Sequence, residues 1–177
     1  KLPTNVEITP HACNAFYNGS SINFYTDNVD CYSLAQVNDV VFHEYGHGIN
    51  YEFYADNGMS FQNGAMGEGY ADVWGYAELE DPLLGDGHNP MDLTAVIRRY
   101  DIEPKVYPND IINEVHADGE IIAGAWWDTY VNLGNDMPTM MNLFAIAYLG
   151  GQATNPDGAE GQAYTEVLLD CLLADDT

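Results

Sequence analysis

Val40-Val41-Phe42-His43-Glu44-Tyr45-Gly46-His47, followed after a loop by Gly67-Glu68-Gly69-Tyr70-Ala71-Asp72, decides how this chain is read. The first stretch lies within residues 33–55, which read as a helix. Ser33 and Gln36 have the spacing of a capping box. Val37, Val40, Val41 and Tyr45 recur at helical intervals and form an apolar stripe. The second stretch lies within residues 65–80, which also read as a helix despite Gly67, Gly69 and Gly75. A glycine inside a helix costs about 1 kcal/mol relative to alanine. Three of them imply close packing against another element.

Chemistry follows from the spacing. His43 and His47 are four residues apart, so one helical face carries both imidazoles toward a single Zn²⁺. Glu44 sits beside them, placed to take a proton from water. A catalytic zinc site needs a third protein ligand. Glu68 supplies that candidate, and Asp72, four residues on, shares its helical face. Asp72 is the carboxylate that accepts the second N–H of a ligating histidine, fixing its tautomer. Tyr70, Val73 and Trp74 read as core.

Outward from these helices, residues 12–26 read as a β-hairpin. Ala15 and Tyr17 alternate before Asn18-Gly19, and Ile22 and Phe24 alternate after it. Asn18-Gly19-Ser20 is also a glycosylation sequon, although the turn alone explains it. Residues 56–64 are a loop. An acidic loop with Asp81, Asp86 and Asp92 leads to a short helix at 93–100 that ends in Arg98-Arg99. Further helices are expected at 119–133, capped by Asp118 and stopped by Gly134, and at 138–149 and 158–174. The expected fold class is α+β, mainly α-helical, with a small β element at the start. Residues 1–177 read as a single domain: the hairpin at 12–26, the helices of the metal site over 33–133, and C-terminal helices over 134–177.

The chain has 177 residues, with 4 Lys+Arg against 28 Asp+Glu and a formal net charge of −24. That balance excludes nucleic-acid binding, which needs a basic surface to release phosphate counterions. No apolar run approaches the roughly 20 residues that span a bilayer. The acidity reads mainly as a solubilising or salt-adapted surface. Glu78, Glu80, Asp81 and Asp86 offer oxygens to Ca²⁺, but their spacing matches no calcium-loop template. Cys13 and Cys31 flank the hairpin, so a disulfide between them and three free thiols, Cys171 included, both remain open. Residue 1 is Lys and not Met, and the chain is expected to be a fragment of a longer precursor.

Taken in order, these blocks resemble the gluzincin metallopeptidases, and within them the thermolysin and fungalysin-like families. Three further stretches agree: Asn14-Ala15-Phe16-Tyr17-Asn18-Gly19-Ser20, Asp39-Val40-Val41-Phe42, and Val115-His116-Ala117-Asp118-Gly119-Glu120. The resemblance runs from about residue 11 to 130 and implies a zincin-like catalytic domain with an edge strand and helices carrying HExxH and ExxxD. It implies a secreted zinc endopeptidase with His43, His47 and Glu68 as metal ligands and Glu44 as general base. Asp72 stands behind the ligands. His116 matches the histidine that stabilises the oxyanion, with Asp110 a candidate to orient it. Asn14 and Ala15 match residues that bind the substrate backbone. Ile97-Arg98 matches a pair that shapes a substrate pocket, with Arg99 as an alternative to Arg98 and Val40 in the same wall. The implied partners are a peptide or protein substrate and a propeptide.

Departures are visible. A tyrosine that assists the oxyanion in thermolysin-like enzymes is replaced near Phe61, and the large N-terminal β-rich part is nearly absent. Two other functions remain: an aminopeptidase of the same clan, which needs a site for the free amine, and a non-catalytic binding or adhesion module on a metallopeptidase scaffold.

Overall fold

Strand alternation and helix periodicity both appear where the apolar pattern places them, and the exceptions have local causes. A computed structural model describes residues 1–175 of the chain. Its secondary structure is α+β and mainly helical. Near the start lie β1 (Thr4–Ala12), β2 (Ala15–Tyr17) and β3 (Ile22–Thr26). They form one mixed sheet in the order β1-β3-β2. β2 and β3 are the expected hairpin, antiparallel with Ala15 opposite Phe24 and Tyr17 opposite Ile22. The connection is longer than an Asn-Gly pair. Asn18 Oδ1 accepts from the backbone N–H of Ser20 and of Ser21, and Gly19 takes φ +90°. β1 runs parallel to β3. Its side chains are nearly all exposed, so it carries no alternating apolar signal in the sequence.

The disulfide Cys13–Cys31 ties the β1–β2 corner to the segment after β3. It closes a loop with a separation of 18 residues, a size for which chain entropy favours the folded state by about 3 kcal/mol. Cys171 is free and half-buried.

The helices are α1 (Asn38–Asp56), α2 (Gly64–Leu79), α3 (Val115–Asn132), α4 (Met137–Leu149) and α5 (Glu160–Asp175). Residues 176–177, the end of the expected C-terminal segment, lie outside the described residues. α1 begins later than the capping box at Ser33 predicts. The Ser33 hydroxyl donates to the Tyr25 carbonyl of β3 instead, a 3-10 turn covers Leu34–Gln36, and extended Val37 precedes α1. The apolar stripe on α1 also stops short: Val40 is buried, but Tyr45 faces solvent. His43, Glu44 and Gly46 occupy the buried face in its place. α3 begins at Val115, before the expected 119. Its cap is Glu114, whose carboxylate accepts from the N–H groups of His116 and Ala117. Asp118 is buried and accepts from Ile112 N–H, so it serves the incoming loop and not the helix end.

The short helix expected at 93–100 is absent. β4 (Leu83–Leu84) and β5 (Arg98–Arg99) pair as a two-stranded antiparallel ladder there. Asp92 captures the backbone N–H and hydroxyl of Thr94, a local bond that competes with helix formation.

The larger core gathers Tyr70, Val73, Tyr76, Trp126, Phe144 and Tyr148 between α2, α3 and α4. Tyr70 meets Phe144 edge-on at 4.9 Å. A smaller core packs Ile22 and Phe24 of the sheet onto Val37 and Val40. α2 runs between α1 and α3, and glycines set both distances. A Cβ on Gly46 would lie 3.1 Å from the Ala71 Cα, and one on Gly75 would lie 3.1 Å from the Asp39 carbonyl. Those two contacts join α1 to α2. Gly69 faces α3, where a Cβ would lie 2.6 Å from the Gly119 carbonyl oxygen. No helix among the described residues is long and apolar enough to cross a membrane.

Two glycine substitutions separate close packing from helix propensity. Gly69→Ala must push α2 from α3 and is expected to destabilise the protein by about 1–3 kcal/mol. At Gly124, inside α3, a Cβ would make only an ordinary 3.8 Å contact with Tyr100. Gly124→Ala is therefore expected to stabilise by up to about 1 kcal/mol. Thermal melting of the two variants should move in opposite directions.

Candidate metal centre

α1 presents His43 and His47 one turn apart, and α2 presents Glu68 toward them. The two Nε2 atoms are 3.1 Å apart. Glu68 lies 3.4 Å from His43 Nε2 and 3.6 Å from His47 Nε2. Tetrahedral Zn²⁺ bound at about 2.0–2.2 Å needs ligand atoms about 3.3–3.6 Å apart. Both Glu68 distances fall in that range and the histidine pair is slightly tighter, so the three side chains fit the ion with a small separation of the imidazoles. Glu68 Oε2 is buried with no hydrogen-bond partner, an orphaned acceptor that a cation would satisfy. Among the described residues, this is the group of three or more His, Cys, Asp or Glu side chains whose ligand atoms converge. Glu78, Glu80, Asp81 and Asp86 are all exposed and lie outside it.

Asp72, one turn beyond Glu68, fixes the nearer histidine. His43 Nδ1 lies 2.5 Å from Asp72 Oδ1. An ionised carboxylate only accepts, so Nδ1 carries a proton and Nε2 is the atom left facing the centre, where it can ligate a metal once deprotonated. Burial disfavours charge on His43, but the Asp72 carboxylate outweighs it and raises the imidazole well above the usual range. Burial, helped by the neighbouring His43, lowers His47 to about 4. Burial pushes Asp72 up, yet Arg98 and His43 hold it far below the ordinary carboxylate range. Glu68 also lies below its usual value: burial opposes this, and the three histidines prevail.

Glu44 follows His43 on α1 and is 5 % exposed. Burial raises it to about 7; the charge on Glu68 adds to the shift, and His43 and Arg98 oppose it. The Tyr17 backbone of β2 hydrogen-bonds its carboxylate, and Oε2 has no partner.

These groups line a cleft of about 500 Å³. Ala15 at the start of β2 and Asn14 just before it border the cleft, and Asn14 Oδ1 accepts from Ala15 N–H at 2.9 Å. Val40, Leu84 and Ile97 give one apolar wall, and Phe61 stands in another. His116 lines the cleft from the first turn of α3, with Nε2 3.5 Å from Glu68 Oε2. The carboxylate that orients it is Glu114, 2.7 Å from His116 Nδ1. Asp110 does not do this; it accepts from Val106 N–H in its own turn. Hydrogen bonds from His116 and from the start of α3 lower Glu114 to about 2. Arg98 also reaches the cleft, but its Nε and Nη2 both bond to Asp72 at 2.7 Å. Arg99 points away and pairs with Asp101.

Sequence reasoning missed Glu114 and Tyr100. Glu114 carries a signal, an acid just ahead of a histidine at a helix start. Tyr100 donates its hydroxyl to Asp72, and its two-residue spacing from Arg98 suits one face of a strand. The helix assigned to 93–100 hid that relation. Searches by sequence match no family model and no curated protein.

Dialysis against zinc should load one ion per chain, and His47→Ala or Glu68→Ala should abolish that uptake. The metal-free protein should also be acid-sensitive. Asp72 is depressed in the folded state relative to about 3.9 unfolded. Its stabilisation is complete above the unfolded value and is lost as pH falls toward the folded one. Melting temperature should drop on acidification below about pH 5, less steeply in Asp72→Asn. Equal slopes would contradict this charge assignment.

Proposed function

We propose that this protein is a zinc-dependent endopeptidase of the gluzincin type, similar to the thermolysin and fungalysin-like families. The observation that carries this reading is Glu44. A buried carboxylate raised to about 7 stands beside a convergent His-His-Glu group and faces an open cleft. A general base works best with a pKa near the operating pH, where it both takes and returns a proton. A zinc ion held by His43, His47 and Glu68 would act as a Lewis acid toward the scissile carbonyl and make water more acidic.

The chain's own groups divide the remaining work. Glu44 takes a proton from water and delivers it to the leaving amine. His116 donates from Nε2 to the developing oxyanion, with Glu114 holding Nδ1. Such a donor is worth about 2.7–4 kcal/mol in other hydrolases. β2 is an edge strand, since β3 pairs with it on one side and the cleft lies beside it. An extended peptide can add to such an edge through backbone hydrogen bonds, with Asn14 and Ala15 at its start. The Cys13–Cys31 disulfide supports an oxidising, extracellular setting, where such bonds persist.

Glu44→Gln keeps the shape and the metal ligands but removes the base. It should bind zinc as the parent does and cleave casein at least about 100-fold more slowly. Cleavage at the parental rate would refute the mechanism. An N-terminally blocked peptide should be cut internally; cutting only free N-termini would identify an aminopeptidase. Bound zinc without hydrolysis of any peptide would identify a binding module. Glu114→Ala should lower kcat through His116 and also destabilise α3 by about 1 kcal/mol, the usual loss of an N-cap.

A further inference from the structure

Asp72 is 1 % exposed, and each of its oxygens accepts two donors. Oδ1 takes His43 Nδ1 and Arg98 Nη2. Oδ2 takes Arg98 Nε and the Tyr100 hydroxyl. A carboxylate offers about four lone-pair sites, so this one is full. It has no site left for water or substrate, and the four bonds together prevent its rotation. The Arg98 side chain is 11 % exposed and lies with its fork on the carboxylate, an arrangement that lysine cannot reproduce. Tyr100 is 5 % exposed. Neither residue is within the convergent ligand group, yet both reach it through one atom chain, Asp72 to His43.

We propose that Arg98 and Tyr100 are positioning residues of the metal centre, which lock Asp72 and through it His43. This rests on the metal-centre reading above. The bidentate arginine neutralises the carboxylate, and the tyrosine fixes its tilt. His43 then meets an oriented acceptor that is already shared among other donors. Outer partners of this kind typically change metal affinity about 10–100-fold when removed.

A neighbouring tyrosine provides the control. Tyr76 is as buried as Tyr100 and packs against its ring at 5.5 Å, but its hydroxyl donates to the Ala123 carbonyl at 3.0 Å. Zinc affinity is measured on the full chain by competition with a chromogenic chelator, with melting temperature recorded for each metal-free variant. Tyr100→Phe should weaken zinc binding about tenfold and Arg98→Lys at least as much, while Tyr76→Phe stays at the parental affinity. Zinc-loaded Tyr100→Phe, whose side chain does not line the cleft, should keep the parental KM for peptide. Parental zinc affinity in Tyr100→Phe would overturn the proposal. So would an equal loss in Tyr76→Phe, which would mark a general effect of the core. Parental zinc affinity with a raised KM in Arg98→Lys would make Arg98 a substrate-binding residue. A parent that takes up no zinc would overturn the metal reading and this proposal together; a zinc-binding parent with indifferent variants would overturn this proposal alone.

Discussion

A buried negative charge joins three elements at the middle of this protein. Asp72 belongs to α2, His43 to α1, and Arg98 to β5, with Tyr100 directly after it. Taking a carboxylate out of water is tolerable only when partners replace the water. Here the replacement is complete, and the partners come from two other parts of the chain, α1 and the β5 segment. The charge therefore acts as an assembly constraint: α1, α2 and the β4–β5 ladder must meet in one geometry or leave Asp72 uncompensated. That same geometry turns the free nitrogen of His43 toward His47 and Glu68.

The approach of the helices makes this possible. Gly46 and Gly75 remove side chains between α1 and α2, so Asp72 reaches His43 directly. Gly69 meets Gly119 on the other side of α2, which draws the first turn of α3 over Glu68. His116 consequently stands 3.5 Å from Glu68 although it comes from a distant segment. The loss of helix propensity at these glycines is offset by contacts that no larger residue would allow. Gly67 is different: a Cβ there would meet only the Phe61 ring at 3.4 Å, so its closeness to Glu68 is not itself a packing requirement.

Legibility followed the range of the interactions. The hairpin strands, α1, α2, α4 and the Gly134 stop are local patterns, and each lies near its expected place. The departures lie where a side chain takes a backbone partner that the helix pattern does not use. Ser33 reaches a strand carbonyl, Asp118 holds a loop amide, and Asp92 closes a turn where a helix was expected. β1 was silent because a strand exposed on both faces has no apolar rhythm. At the site, spacing on one helix brought His43 and His47 together on paper. The role of Glu114 beside His116 is equally local, but the resemblance points to Asp110, which the loop turns into a different bond.

By itself, the sequence determined the helical and strand periods, the acidic balance, and the two short segments that carry four-residue spacings of His, Glu and Asp. Those features depend on residues near one another along the chain. Only the tertiary structure decided that Glu68 faces both histidines, that burial raises Glu44 to about 7, and that Arg98 and Tyr100 close on Asp72. Convergence and burial depend on how segments far apart in the chain pack together. Neither residue spacing nor composition contains that distance.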